Sequence, residues 1–449
     1  TMLQDAESQV CYVQHLMNMS QRFSITISDD VRNRQGAVLI PKGGHLSGGL
    51  VEKISHHQLE QPLENCVFLH DQLSAKQLKS FYNRIFSKHN NFSLFHKDND
   101  LEEALLAGCE YYEQFPLIKQ KMTVLKIQMP QQFKQSLFCA YFGLAIAHNM
   151  KGETLNLSEV FLAGLTHNIG MLHMDAEVLN EKGEYSAQQW HAMHGHVSMA
   201  HEILQQVPTL PSDVATAVLE HHERFDGSGY PFANKGPALG LMGQIIGMAD
   251  TCLSLYQRDL ASHKLGFDAL LPVLKLNKNL FNSKVLNAIE SIINDINWSV
   301  QRISTNDEMP TLISGIMLDN ENIRFDYNMV ERLIENIRPH LFFNSEARML
   351  NNMFDRLQCS LISSGILKNE HIEWMVISFG AQQNEDYLVI ERLPITYNEI
   401  KWQISQIKNL LRLMCEKHQL KSTQFESTVN AGLWEMEQYT KQHTLSAIH

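Results

Sequence analysis

From Lys121 to Asn294 the chain reads as one helical segment after another, interrupted by Gly and Pro at a few loops. The run "SLFCAYFGLAIA", Ser136 to Ala147, is almost wholly apolar. It is too short to span a bilayer, so it reads as a buried core helix. Helices of this kind can only hide their surface on one another, which makes a helical bundle the expected architecture of this region.

The flanking regions differ in pattern. We read residues 1–120 as an N-terminal module with short strands and helices, 121–297 as the histidine-bearing domain, and 298–449 as a mostly helical C-terminal module. The runs "SITI" and "AVLI", within residues 24–41, are separated by Asn33, Arg34, Gln35 and Gly36 and predict a β-hairpin. In the C-terminal module, "EWMVISF" and "EDYLVIERL" predict a small strand pair. There too, Ile400, Ile404, Ile407, Leu411 and Met414 alternate steps of four and three and form one apolar stripe. A core-facing helix is the first reading of that stripe, and a homodimer seam is the second. The fold class is therefore mostly α, with a small α/β segment in front.

Composition narrows the function. A net charge of −12 argues against binding a nucleic acid polymer through its phosphates. The seven cysteines form no CxxC pair, as expected of reduced thiols in a cytoplasmic protein. The start "TMLQDAESQV" has neither a basic nor an apolar signal region, and no stretch reads as a membrane anchor, so a cytoplasmic location is expected.

The 22 histidines raise the prospect of a metal site. The helix-like "SEVFLAGLTHNIGML" reaches His167 and Asn168, with Gly170 as a breaker. Ser186 and Gln189 form a capping box that predicts a helix start, and His191, His194, His196 and His201 lie along the helix that follows. Two residues apart is about 200° around a helix, so 194 and 196 cannot face the same point. His221 and His222 close another helix, and Asp250 ends an apolar run. Imidazoles and one carboxylate brought from separate helices can converge on a metal in a bundle core, and such N and O ligands suit iron, manganese or zinc. The bland readings assign His191, His194 and His201 to the surface or rim and His56 and His57 to solvent. His173, near the site in sequence, is a minor candidate ligand.

The eleven residues "HHERFDGSGYP", His221 to Pro231, together with His167-Asn168, His196, the "VLNEKGEYS" flank and Asp250, resemble the HD-GYP family of cyclic-dinucleotide phosphodiesterases. The likeness covers about residues 131–293. It implies an HD-type helical bundle, metal ligands at His167, His196, His221, His222 and Asp250, and metal-dependent hydrolysis of cyclic di-GMP or cyclic GMP-AMP. It also implies a loop of Arg224, Asp226, Gly227, Gly229, Tyr230 and Pro231 that contacts ligand or a partner such as a diguanylate-cyclase domain. Within that loop, Arg224 and Asp226 are expected to pair, and the two glycines to adopt angles that other residues avoid.

The departures from the family pattern fall together. Asn168 replaces the family's aspartate, Met171 its lysine, and Gln135 aligns with its early histidine. The arginine-rich stretch after the last aspartate is absent, with Arg258 near that place. An asparagine offers one neutral oxygen where a carboxylate bridges two ions. The expectation is a degraded centre holding at most one iron, manganese or zinc ion, in a protein that binds or regulates. An active phosphodiesterase and a cyclase-docking scaffold are the alternatives.

Overall fold

β-Branched runs give the N-terminal region its strands. In the computed structural model, residues 6–446 are described apart from 47, 99, 176, 177, 179–186, 262–264, 299, 342, 343 and 421. Helix α1 (Ala6–Ser20) is followed by strands β1 (Ile25–Ile27), β2 (Val31–Arg32) and β3 (Val38–Ile40), helix α2 (Gly48–Ser55) and strand β4 (Val67–Leu69). β1 pairs antiparallel with β4, and β2 with β3. This corrects the expected hairpin, because "SITI" does not pair with "AVLI". Asn33 Oδ1 accepts from the backbone N–H of Gln35 (3.1 Å) and Ala37 (2.8 Å), which turns the chain so sharply that β3 meets only Val31–Arg32.

Helices α3 (Ala75–Lys88), α4 (Asn90–Asp98), α5 (Glu102–Tyr112) and α6 (Pro116–Gln128) lead into the bundle. The bundle holds α7 (Pro130–Asn149), α8 (Leu157–Thr166), α9 (Ala187–His194), α10 (His196–Gln205), α11 (Ser212–Glu220), α12 (Leu241–Leu255), α13 (Leu271–Leu276) and α14 (Ser283–Asn294). Proline opens both α6 and α7, where its missing N–H costs nothing, and Pro130 ends α6 just before it. The central α7 is buried nearly throughout from Ser136 to Ala147, as its apolar run predicts. Asn156 caps α8 by accepting from the N–H of Ser158 and Glu159. The single helix expected across His191–His201 is instead two, α9 and α10, joined at Gly195. Ser186 and most of "VLNEKGEYS" lie outside the described residues.

The C-terminal region consists of α15 (Met309–Ile337), α16 (Ser345–Ser364), α17 (Asn369–Ala381), α18 (Asn384–Ile390), α19 (Leu393–Glu416) and α20 (Thr423–Ser446). The predicted strand pair is wrong: "EWMVISF" lies in α17, and "EDYLVIERL" forms α18 and enters α19. Strand propensity is decided by available partners, and here Tyr387 and Ile390, three apart, turn into a helical core instead. The stripe on α19 is fully buried within the chain, which favours the core-facing reading over the dimer seam.

Two buried apolar clusters result. One runs from Tyr12 to Ile296 and includes Ile395. The other runs from Met309 to Met436 and takes in Trp190 and Ala233. The C-terminal helices therefore pack directly onto the histidine-bearing region. Among the described residues, no helix is long and apolar enough to cross a membrane.

Candidate metal centre

A helix end leaves its last carbonyls without amide partners. Three histidines use such carbonyls in the same way. His167 Nδ1 bonds to Gly164 O at 2.7 Å, His196 Nδ1 to Met193 O at 2.6 Å, and His221 Nδ1 to Val218 O at 2.6 Å. The proton must then sit on Nδ1, so each Nε2 presents a lone pair. All three Nε2 atoms are buried and lack a hydrogen-bond partner among the described residues. Unpaired buried acceptors of this kind cost free energy unless something occupies them.

His222 joins them from the next position. Ligand atoms of His196, His221 and His222 lie within 4.8 Å of one another, a spacing that a single ion can bridge. Asp250 on α12 faces the cluster, with Oδ1 3.8 Å from His167 Nε2 and Oδ2 3.9 Å from His222 Nδ1. Both distances are too long for hydrogen bonds. Burial pushes His196 down to about 4 and lowers His167, His221 and His222 as well, with neighbouring imidazoles adding to the effect at the last two. The imidazoles are therefore neutral, the form that ligates metal. The donor set fits a transition ion.

Aromatic rings hold His222 in place. Tyr230 stacks on His222 (centroids 4.7 Å apart) and on His194 (3.6 Å), and His194 in turn contacts Trp190 (3.8 Å). His194 is thus a rim residue, as expected, and His56 and His57 are exposed. The loop is fixed by Glu223, whose carboxylate accepts from the N–H of Phe232 (2.6 Å) and Asn234 (3.1 Å). Sequence reasoning gave Glu223 no role. The expected pairing of Arg224 with Asp226 is replaced by separate bonds: Arg224 donates to the carbonyls of His221 and Glu223, and Asp226 accepts from Ser228 N. Gly227 has φ +79°, which favours glycine. Gly229 is needed for a different reason, since an added Cβ would lie 2.3 Å from His222 O.

The remaining predicted positions lie to one side. Asn168 Nδ2 approaches Gln135 Oε1 at 3.5 Å, and Gln135 Nε2 approaches Gln257 Oε1 at 3.3 Å. Met171 packs against the first apolar cluster. His173 is not part of the centre. Its Nε2 lies 2.8 Å from Lys121 Nζ, and its ring stacks on Tyr12 of α1.

The HD domain profile matches residues 121–266, the stretch that carries His167, His196, His221, His222 and Asp250. This is an HD domain related to those of the HD-GYP cyclic-dinucleotide phosphodiesterases. The chain is 29% identical over 173 residues to the 3′3′-cGAMP-specific phosphodiesterase 1 of Vibrio cholerae, covering 37% of this chain and 40% of that one. It is 25% identical over 197 residues to the cyclic di-GMP phosphodiesterase response regulator RpfG of Xanthomonas campestris, covering 42% of this chain and 51% of that one. The chain thus spans about half, or less, of the length of these relatives. A crystal structure of a cyclic GMP-AMP specific phosphodiesterase from V. cholerae aligns over 70% of this chain and 95% of that one, with 12% identity and a TM-score of 0.30, too low to bear on the fold.

The HD domain does not hold the cavity alone. A space of about 330 Å³ is lined by His222 and Asp250 and also by Arg356 of α16 and Trp402 of α19. No sequence signal marks those two residues, which lie more than a hundred positions from the nearest histidine of the centre.

Proposed function

We propose that the HD domain is a cyclic-dinucleotide module with a degraded metal centre, which binds its ligand and regulates but hydrolyses it weakly or not at all. The observation that carries this reading is the amide chain Asn168–Gln135–Gln257, which starts at the residue after His167, where the family resemblance implies a carboxylate and an imidazole. His196, His221 and His222 with Asp250, and His167 beside them, would hold one iron, manganese or zinc ion. When bound, that ion would polarise a phosphoryl oxygen and acidify water. Paired ions in two-metal sites sit about 3.5–4 Å apart and need an anionic bridge, which a neutral amide does not supply.

The chain's own residues do the rest. Nδ1 bonds to helix-end carbonyls keep the Nε2 lone pairs aimed inward. Tyr230 keeps His222 oriented by stacking. Met171 presents no cation to a phosphate. The substrates of the relatives, cyclic di-GMP and 3′3′-cGAMP, define the ligand class we assign.

Docking of a diguanylate cyclase through the loop is the weaker reading. Asn352 of α16 donates to Gly227 O at 2.9 Å and Arg348 to Phe232 O at 3.4 Å, so a partner would compete with the chain's own helix. The deciding experiment measures metal content together with hydrolysis of both cyclic dinucleotides in added iron(II) or manganese(II). Steady multiple turnover that is abolished by His221→Ala would overturn the degraded reading.

A further inference from the structure

Arg356 is a buried charge that lacks the partners its burial demands. It is 7% exposed. Its Nη1 donates to Ser228 Oγ at 3.3 Å, while Nε and Nη2 meet no acceptor among the described residues. A guanidinium carries five N–H donors and cannot shed its proton, so leaving donors buried and unpaired is costly. Asp226 and Glu399 attract its charge but accept their hydrogen bonds from other groups. Glu399 accepts from Asn277 Nδ2 at 2.7 Å and Arg258 Nη2 at 3.2 Å, and Asp226 accepts from Ser228 N at 2.8 Å.

The same side chain lines the cavity that holds His222 and Asp250. Its guanidinium carbon lies 5.6 Å from the Trp402 ring centroid. Trp402 is partly exposed and Trp190 also lines the cavity, so the space has flat apolar walls as well as a cation with unused hydrogen-bond donors. A volume of about 330 Å³ falls at the small end of ligand pockets.

We propose that Arg356 is the phosphate-recognition residue of a composite site, in which the C-terminal helices complete the pocket begun by the HD domain. One phosphate of a cyclic dinucleotide takes the free Nε and Nη2 donors, and a base stacks on Trp402. The planar fork of arginine matches two phosphate oxygens, and an indole face accepts any base. Met171 leaves the HD domain without a cation at its family position, and Arg356 supplies one from another part of the chain. The proposal rests on the cyclic-dinucleotide reading given above.

The test is titration calorimetry of the full chain and of its Arg356→Met and Arg356→Lys variants. The probes are cyclic di-GMP, 3′3′-cyclic GMP-AMP and inorganic pyrophosphate, with metal content and thermal melting recorded alongside. We expect at least one cyclic dinucleotide to bind. Arg356→Met should weaken it at least tenfold, and Arg356→Lys should weaken it less. Metal content should not change. The melting temperature of unliganded Arg356→Met should be equal or higher, because an unpaired buried charge is replaced by an apolar chain. Equal affinity in the wild-type and Arg356→Met proteins overturns the role of Arg356 while leaving the domain reading intact. A marked fall in melting temperature also overturns it, by showing a structural arginine. Pyrophosphate binding that depends on Arg356, without binding of either cyclic dinucleotide, overturns the domain reading and keeps the phosphate role. No binding of any probe to the wild-type chain overturns both.

Discussion

Asn168 Nδ2 approaches Gln135 Oε1 at 3.5 Å, so two neutral amides meet at the position that follows the buried His167 in the chain. Neither amide can bring negative charge to a metal, and neither presents an imidazole lone pair. The electrostatics of the centre are therefore lopsided, with Asp250 as the carboxylate that approaches the histidines.

The first prediction is metal stoichiometry. Elemental analysis of protein prepared without chelator should find one transition metal per chain or less. His221→Ala should remove it. Two or more tightly held ions per chain would contradict the proposed centre.

Restoring the missing groups should restore chemistry in a graded way. Asn168→Asp alone should gain less than about tenfold in hydrolysis of cyclic di-GMP, because Gln135 and Met171 remain. Asn168→Asp with Gln135→His and Met171→Lys should gain on the order of 10²–10³, the usual size of a recovered electrostatic contribution at a reacting centre. A single substitution that matched the triple one would show that Asn168 alone limits the rate.

Tyr230 should act through His222. Tyr230→Ala removes the ring that stacks at 4.7 Å and should lower metal affinity about 10–100-fold, as loss of a supporting contact does at other metal sites. Tyr230→Phe keeps the ring and should keep the affinity. Equal losses in both variants would assign the effect to the hydroxyl.

Acid should destabilise the protein through His173. Burial first, and Lys121 second, push its imidazole down to about 3, against about 6.5 in the unfolded chain. Between those values the unfolded chain binds more protons, so stability falls as pH falls, by at most about 1.4 kcal/mol per pH unit. Glu64 acts in the same direction. Burial opposes its charge, but the neighbouring Lys121 ammonium lowers it overall, and this stability is lost as pH drops below the ordinary carboxylate range. Denaturant unfolding at pH 7 and pH 5 should show a shallower pH dependence in His173→Gln than in wild type. An unchanged dependence would remove His173 as a cause.

The stripe on α19 should matter for stability and not for assembly. Ile407 is fully buried within the chain. Ile407→Ala should cost about 2–5 kcal/mol, the range for truncating buried aliphatic side chains. The mass in solution, read by light scattering, should not change. A shift in mass with little loss of stability would point to a seam between copies.

Local chemistry was legible along the chain because it depends on neighbours in sequence. His167 and His221 sit at helix ends, so each ring finds a carbonyl three residues back, an arrangement set by local sequence. The Gly227 turn and the apolar run of α7 were readable for the same reason. Pairing between distant segments was not. Val67–Leu69 carries no mark that it will take "SITI" as a partner, and "EWMVISF" looks like a strand until a helical core receives it, because strand formation depends on which edge is available. Only the tertiary structure brings Arg356 and Trp402 to the cavity of His222 and Asp250. That meeting is set by burial of α16 and α19 against the HD domain, through an apolar cluster that includes Trp190 and Ala233. Hydrophobic burial is non-directional, so no local motif records which polar side chains it carries to the same place.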